Sequence, residues 1–138
     1  MIVVDTSVWL DLFLDNEDRR RRAENVFASY TGTIYEPKAF KVELAGTLAR
    51  RFNKKDVLAF LEEVLSKVEL IGNPDELAYE IALKTGCRAI DAYFIATAKL
   101  TNSILITSDR IMAENAKKAG VEAYYLLEEF EEVRKRLQ

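Results

Sequence analysis

Histidine is absent from the 138 residues, and that absence removes more chemistry than any residue present adds. Without imidazole there is no Ser-His-Asp or Cys-His nucleophilic machinery, no paired-histidine ribonuclease site, no HExxH zinc centre and no imidazole-bound transition metal. Cysteine occurs once, as Cys87, so no intrachain disulfide and no thiolate zinc site can form. The five glycines, Gly32, Gly46, Gly72, Gly86 and Gly120, make neither GxGxxG nor GxxxxGK[ST], which excludes dinucleotide and P-loop phosphate cradles. No apolar run approaches the roughly 18 residues that cross a bilayer. The opening MIVVDTSVW has no basic leader and no small-residue cleavage site, so a soluble, cytoplasmic protein is expected. Catalysis, if there is any, has to use carboxylates, hydroxyls, lysines or a metal held by oxygen.

What is present fits one domain. A chain of this length with 49% hydrophobic residues buries roughly two-thirds of its unfolded surface on folding, enough for a single core. Short apolar runs (Ile2 to Val4, Thr33 to Tyr35, Val68 to Ile71, Ser103 to Thr107, Glu122 to Tyr125) alternate with segments of helical period, the signature of an α/β sheet with crossover helices. Val57, Phe60, Leu61, Val64 and Leu65 fall on one helical face, with Asn53 as its cap. Asn73-Pro74-Asp75-Glu76 reads as a capping box with proline at the first helical position, and Gly86 as the stop. Residues Ala92 to Leu100 are apolar nearly all round and predict a buried helix, Arg110 to Ala119 an amphipathic one ending at Gly120, and Leu127 to Leu137 an exposed amphipathic one. Right-handed crossovers then predict a three-layer α/β/α domain over residues 1 to 138. Its twisted, mostly parallel sheet has about five strands, and a helical hairpin over roughly residues 17 to 66 flanks it.

Four carboxylates stand out against this pattern. Asp5 follows the first apolar run, and Asp109 follows Ile104-Leu105-Ile106-Thr107-Ser108, so both should emerge at the carboxyl edge of the sheet and face each other. Ligands of open α/β sheets sit at that edge, where the strand order reverses. Asp91 lies in the first turn of the most apolar helix, where the helix dipole favours a negative charge by about 0.3–1 kcal/mol. Glu43 occupies a helix side that packing would give to an apolar residue. Each acid alone has an ordinary explanation: a helix cap for Asp5 or Asp109, a dipole partner for Asp91, and for Glu43 an ion pair with Arg50 or Lys41. Four of them in one half-buried pocket would repel, and need either protons or a cation. All-oxygen ligation selects Mg²⁺ or Mn²⁺, which can bind a phosphodiester and activate water for in-line attack.

Together, MIVVDTSVW with Asp5, EPKAFKVELAGTLARR with Glu43, AIDAYFIATAKLTNSILITSD with Asp91 and Asp109, and the closing IMAENAKKAGVEAYYL resemble a PIN domain, in particular a prokaryotic VapC-type toxin. The resemblance covers nearly the whole chain. It implies a Mg²⁺- or Mn²⁺-dependent endoribonuclease that is a homodimer and is inhibited by a cognate antitoxin. Asp5, Glu43, Asp91 and Asp109 would be the metal ligands, and Thr6, Ser7 and Thr107 the hydroxyls nearby. The family pattern sometimes carries a further acid after the fourth; here Arg110 and Ile111 follow.

The net charge of −3 hides an asymmetry, because residues 17 to 55 hold ten Lys/Arg against five acids. A basic rim beside an acidic pocket could hold the flanking phosphates of an RNA, although the arginines 19 to 22 also read as the solvated face of a helix whose apolar side is Ala23, Val26, Phe27 and Tyr30. Leu12, Phe13 and Leu14, with Trp9, read as core or interface residues, and part of that cluster as a groove for an antitoxin helix. A haloacid-dehalogenase-like phosphatase needs DxD at the first strand, where position 7 is Ser7, and a phospho-receiver domain needs an acidic pair and a late lysine with no counterpart here. The remaining rival is a non-catalytic PIN-like module that binds RNA or protein.

Overall fold

The computed structural model describes residues 1–138. Five strands, β1 (Ile2–Val4), β2 (Ile34–Pro37), β3 (Glu69–Ile71), β4 (Ile104–Thr107) and β5 (Ala123–Tyr125), form one sheet in the order β3-β2-β1-β4-β5. Every pairing is parallel. Parallel strands are covered on both faces, so they read as continuous apolar runs rather than alternating ones, and β1 and β4 are buried at every position.

Eight helices fill the connections: α1 (Thr6–Asp11), α2 (Glu17–Ser29), α3 (Lys38–Ala49), α4 (Lys54–Leu65), α5 (Asp75–Thr85), α6 (Ala89–Thr101), α7 (Arg110–Lys118) and α8 (Phe130–Leu137). The chain moves outward one way through β1, β2 and β3, then returns to the far side of β1 for β4 and β5. Right-handed crossovers therefore place α1 to α4 on one face and α5 to α7 on the other. The reversal falls between β1 and β4, where Ile2, Val3 and Val4 align with Ile104, Leu105 and Ile106. No helix is long and apolar enough to cross a membrane.

The core joins both faces. Trp9, wholly buried in α1, stacks on Phe27 of α2 with ring centroids 4.0 Å apart and lies 6.0 Å from Phe40 of α3, which meets Phe94 of α6 edge-on. The most apolar predicted helix is indeed the buried one, with Phe94, Ile95 and Ala96 fully enclosed in α6. Asn53 caps α4 by accepting the Asp56 N–H, and Gly86 ends α5 at φ 72°.

Three expectations change in detail. The helical pair beside the sheet is α3 with α4; α2 is separated from it by β2 and packs on α1 and α8. At the start of α5, Pro74 is the cap residue rather than the first helical one, and the Asn73 side chain accepts the Ala39 N–H of α3, 34 residues away. A long-range backbone donor has taken the acceptor that local capping would have used. The last helix begins at Phe130, because a turn at Leu126 to Glu128 first returns the chain from β5.

Candidate active site

Asp5 follows β1 directly, at the point of strand reversal. Its N–H donates to the Ile106 carbonyl at 2.9 Å, which fixes its backbone against β4. Although it occupies the cap position of α1, its side chain caps nothing. Instead Oδ2 accepts from Ser7 Oγ and Thr107 Oγ1, each at 2.8 Å, and Oδ1 is left without a protein donor. Burial pushes the carboxyl up to about 6; the two hydroxyls oppose that rise, and Asp91 and Glu43 add to it through their charge.

Asp109 behaves differently from Asp5. Its Oδ1 accepts the Ile111 and Met112 N–H groups, a true helix cap for α7, while Oδ2 faces the pocket. Its link to Asp5 runs through Thr107: the Asp109 N–H donates to Thr107 Oγ1 at 3.0 Å, and that hydroxyl donates onward to Asp5. Asp91, buried in the first turn of α6, is held above the ordinary carboxylate range by burial, with Arg88 pulling it back and Asp109 adding to the rise. Glu43 is half-buried on α3 and makes no ion pair with Arg50, Lys41 or any other cation; Arg50 turns to Thr47 instead.

The four acids thus share one electrostatic neighbourhood. They do not close into a ready ligand cage, since no three of them stand at metal-binding spacing. Like charges keep apart, and a guanidinium lies among them: Arg88 Nε is 3.4 Å from Asp91 Oδ2, and its Nη2 is 3.8 Å from Asp109 Oδ2. The donor set consists of carboxylate and hydroxyl oxygens, one carboxylate oxygen of Asp5 and the whole carboxylate of Glu43 are without protein partners, and the pocket already attracts a cation. Those features fit a hard divalent ion. Of the three hydroxyl residues, Ser7 and Thr107 touch Asp5, whereas Thr6 Oγ1 is buried without any partner.

Sequence reasoning missed a second tier of residues. Asp11 is 2% exposed in its side chain; its Oδ2 accepts from Ser108 Oγ at 2.8 Å and its Oδ1 pairs with Arg19 at 3.2 Å. Ser108 N–H in turn donates to Ser7 Oγ at 3.0 Å. Glu36 of β2 is fully buried, accepting from the Val4 N–H beside Asp5 and from the Trp9 indole. Burial holds Glu36 well above the usual carboxylate range. An acid inside the apolar stretch Val8 to Leu14, and another inside a strand, were available signals. So was Arg88, three residues ahead of Asp91 on the same helix end. Nothing local marks Ser108.

The fold and the site together define a parallel α/β domain that gathers carboxylates where its strand order reverses. This chain belongs to the PIN-domain family, whose model matches residues 2–118. A KH and PIN-domain containing protein of Methanocaldococcus jannaschii is 34% identical over 140 residues, covering 96% of this chain; the chain spans only 21% of that relative's length. Among solved structures, the fold is similar to VapC20 of Mycobacterium tuberculosis, a sarcin-ricin-loop-cleaving toxin (TM-score 0.68, 19% identity, 83% of this chain and 94% of that one). It is also similar to a chain of a toxin-antitoxin complex from Klebsiella pneumoniae (TM-score 0.63, 20% identity, 79% and 87%).

Proposed function

We propose that this protein is a metal-dependent endoribonuclease that hydrolyses RNA phosphodiester bonds, and that it serves as the toxin of a VapBC-type toxin-antitoxin pair. The observation that carries the reading is Asp5: a buried carboxylate that leaves its own helix uncapped and keeps one oxygen free, with Asp91 and Glu43 close enough to be felt through their charge. A domain built only to bind gains nothing from such an arrangement, which costs stability.

Asp5, Glu43, Asp91 and Asp109 are the residues that would hold Mg²⁺ or Mn²⁺. When bound, such an ion polarises the phosphodiester and makes a water more acidic. The chain's own residues prepare the site. Ser7 and Thr107 fix Asp5 Oδ2 and so aim its other oxygen, and the α7 cap holds Asp109 Oδ1 while Oδ2 stays available. Thr6, next to Asp5 in the chain and with its hydroxyl buried and unpartnered, would be a further hydroxyl of the site. Lys38 and Lys41, exposed on the helix that carries Glu43 and free of ion pairs, would hold flanking phosphates.

Two surfaces support the proposed partners. A cleft of about 350 Å³ with an apolar floor of Leu12, Phe13 and Phe27 and a charged rim of Glu24, Glu63 and Lys67 suits an amphipathic antitoxin segment. The outer side of α5, with Tyr79 64% and Leu83 70% exposed, suits a second copy of the chain.

The deciding experiment incubates wild type, Asp5→Asn and Asp91→Asn with a panel of labelled structured RNAs, with and without Mn²⁺. Cleavage by wild type alone, and only with the ion, is expected. Equal cleavage by the variants would refute the assigned chemistry, and retention of RNA without cleavage would identify a binding module.

A further inference from the structure

Arg88 is the only cation that contacts any of the four acids, and its placement is unusual. It is the cap residue of α6, with φ −66° and ψ 155°, and its side chain makes no capping bond. A positive charge at a helix N-terminus opposes the helix dipole, so α6 itself gains nothing from it. Across the helix end, the guanidinium reaches Asp91 through Nε (3.4 Å) and Nη2 (3.5 Å) and Asp109 through Nη2 (3.8 Å). These contacts are at the long limit of hydrogen bonding, and 74% of the side chain is in solvent. The group straddles two carboxylates without locking onto either, and Nη1 has no partner. Beside it opens a cavity of about 360 Å³, lined by Cys87, Arg88, Asp91, Asp109, Ile111 and Asn115, with room for a phosphate.

We propose that Arg88 is the pocket's exchangeable counter-ion and its phosphate clamp: it rests on Asp91 and Asp109 in the metal-free protein, yields both to a divalent cation, and then turns its guanidinium to a non-bridging oxygen pair of the substrate phosphodiester. The inference rests on the nuclease reading above and adds to it a substrate-binding residue. A guanidinium suits both states, because its planar fork matches carboxylate and phosphate alike and it never loses its charge. The side chain's exposure makes the exchange possible, since a well-exposed ion pair is weak and easily traded. The exchange also spares the pocket an extreme of charge in either state.

The test compares the full chain with Arg88→Ala and Arg88→Lys. Mn²⁺ binding is followed by calorimetry or by the EPR signal of free Mn²⁺, and RNA cleavage is measured separately at saturating Mn²⁺. Arg88→Ala is expected to bind Mn²⁺ about two- to fivefold more tightly, having lost an internal competitor, while its KM for RNA rises about tenfold. Arg88→Lys keeps the charge but not the fork, so its Mn²⁺ affinity should stay near wild type while its KM still rises. The side chain's exposure makes misfolding of either variant a minor concern, and melting curves check it. Unchanged or weaker Mn²⁺ binding by Arg88→Ala overturns the proposal, as does an unchanged KM in both variants. A wild type that neither binds Mn²⁺ nor cuts RNA defeats the nuclease reading itself. A competent wild type matched by Arg88→Ala defeats this inference alone.

Discussion

Ser108 donates a 2.8 Å hydrogen bond to the buried carboxylate of Asp11, 97 residues earlier in the chain. Through it, the loop that carries Asp109 is tied to the helix that follows Asp5, and Ser108 N–H repeats the tie to Ser7. The two chain segments that deliver the acids are thus fixed to each other by hydrogen bonds outside the sheet ladder.

Breaking that tie should cost both stability and activity. Asp11→Ala leaves the Ser108 hydroxyl without its acceptor and is expected to destabilise the protein by about 2–3 kcal/mol, whereas Ser108→Ala, which leaves Asp11 its pairing with Arg19, costs about 1 kcal/mol. Urea titration of the two variants and the double variant measures the coupling. Simple additivity would show that the two groups do not work as a pair.

Asp5 should make the metal-free protein less stable near neutral pH than at pH 4. Burial keeps its proton on in the folded state up to about 6, against 3.8 for the unstrained carboxyl. The favourable contribution of the protonated group is fully present below the unfolded value and is lost as pH rises through about 6. Burial shifts Asp91, Asp11 and Glu36 in the same direction. Asp5→Asn removes the ionisation, and at pH 7.5 in chelator it should raise stability by about 2 kcal/mol, or roughly 6 °C in Tm. A variant no more stable than wild type would contradict the burial argument.

Divalent ions should reverse that relation. At a concentration near a hundred times its Kd, Mn²⁺ should stabilise wild type by about 2.7 kcal/mol, a rise in Tm of roughly 8 °C. Chelator should abolish the rise, and Asp5→Asn and Asp91→Asn should show little of it. Differential scanning fluorimetry reads all three, and equal rises in the variants would place the ion elsewhere.

Glu36 is a structural acid beside the site. Its oxygens accept from the Val4 N–H at 3.1 Å and the Trp9 Nε1–H at 2.8 Å with no exposure to solvent. Glu36→Met would leave both donors buried and unsatisfied, and should cost about 2–4 kcal/mol by chemical denaturation. A loss below about 0.5 kcal/mol, the size of an average surface substitution, would mean that neither bond contributes.

Much of the fold was legible because it is written in local patterns. Buried parallel strands are unbroken apolar runs, which marked β1 and β4 to within a residue of their ends. Gly86 and Asn53 announced helix ends by their backbone and side-chain chemistry. The capping box at Asn73 misled because Ala39, distant in sequence, competes for the same side chain. The helical hairpin is shorter than residues 17 to 66, because β2, which the run Thr33 to Tyr35 marks, lies between α2 and α3 and pairs with β1 and β3.

The sequence by itself marked the five strands and most of the helices, removed histidine-based catalysis, disulfides and thiolate zinc sites, and put Asp5 and Asp109 after apolar strands, because these properties depend on residue type and short-range period. Only the tertiary structure decided that Asp5 leaves its helix uncapped while Asp109 caps its own, that Arg88 stands between Asp91 and Asp109, and that Asp11 holds Ser108. Whether an acid caps a helix, pairs with a cation or stays free is settled by competition among donors brought together by folding. No window of sequence contains all the competitors.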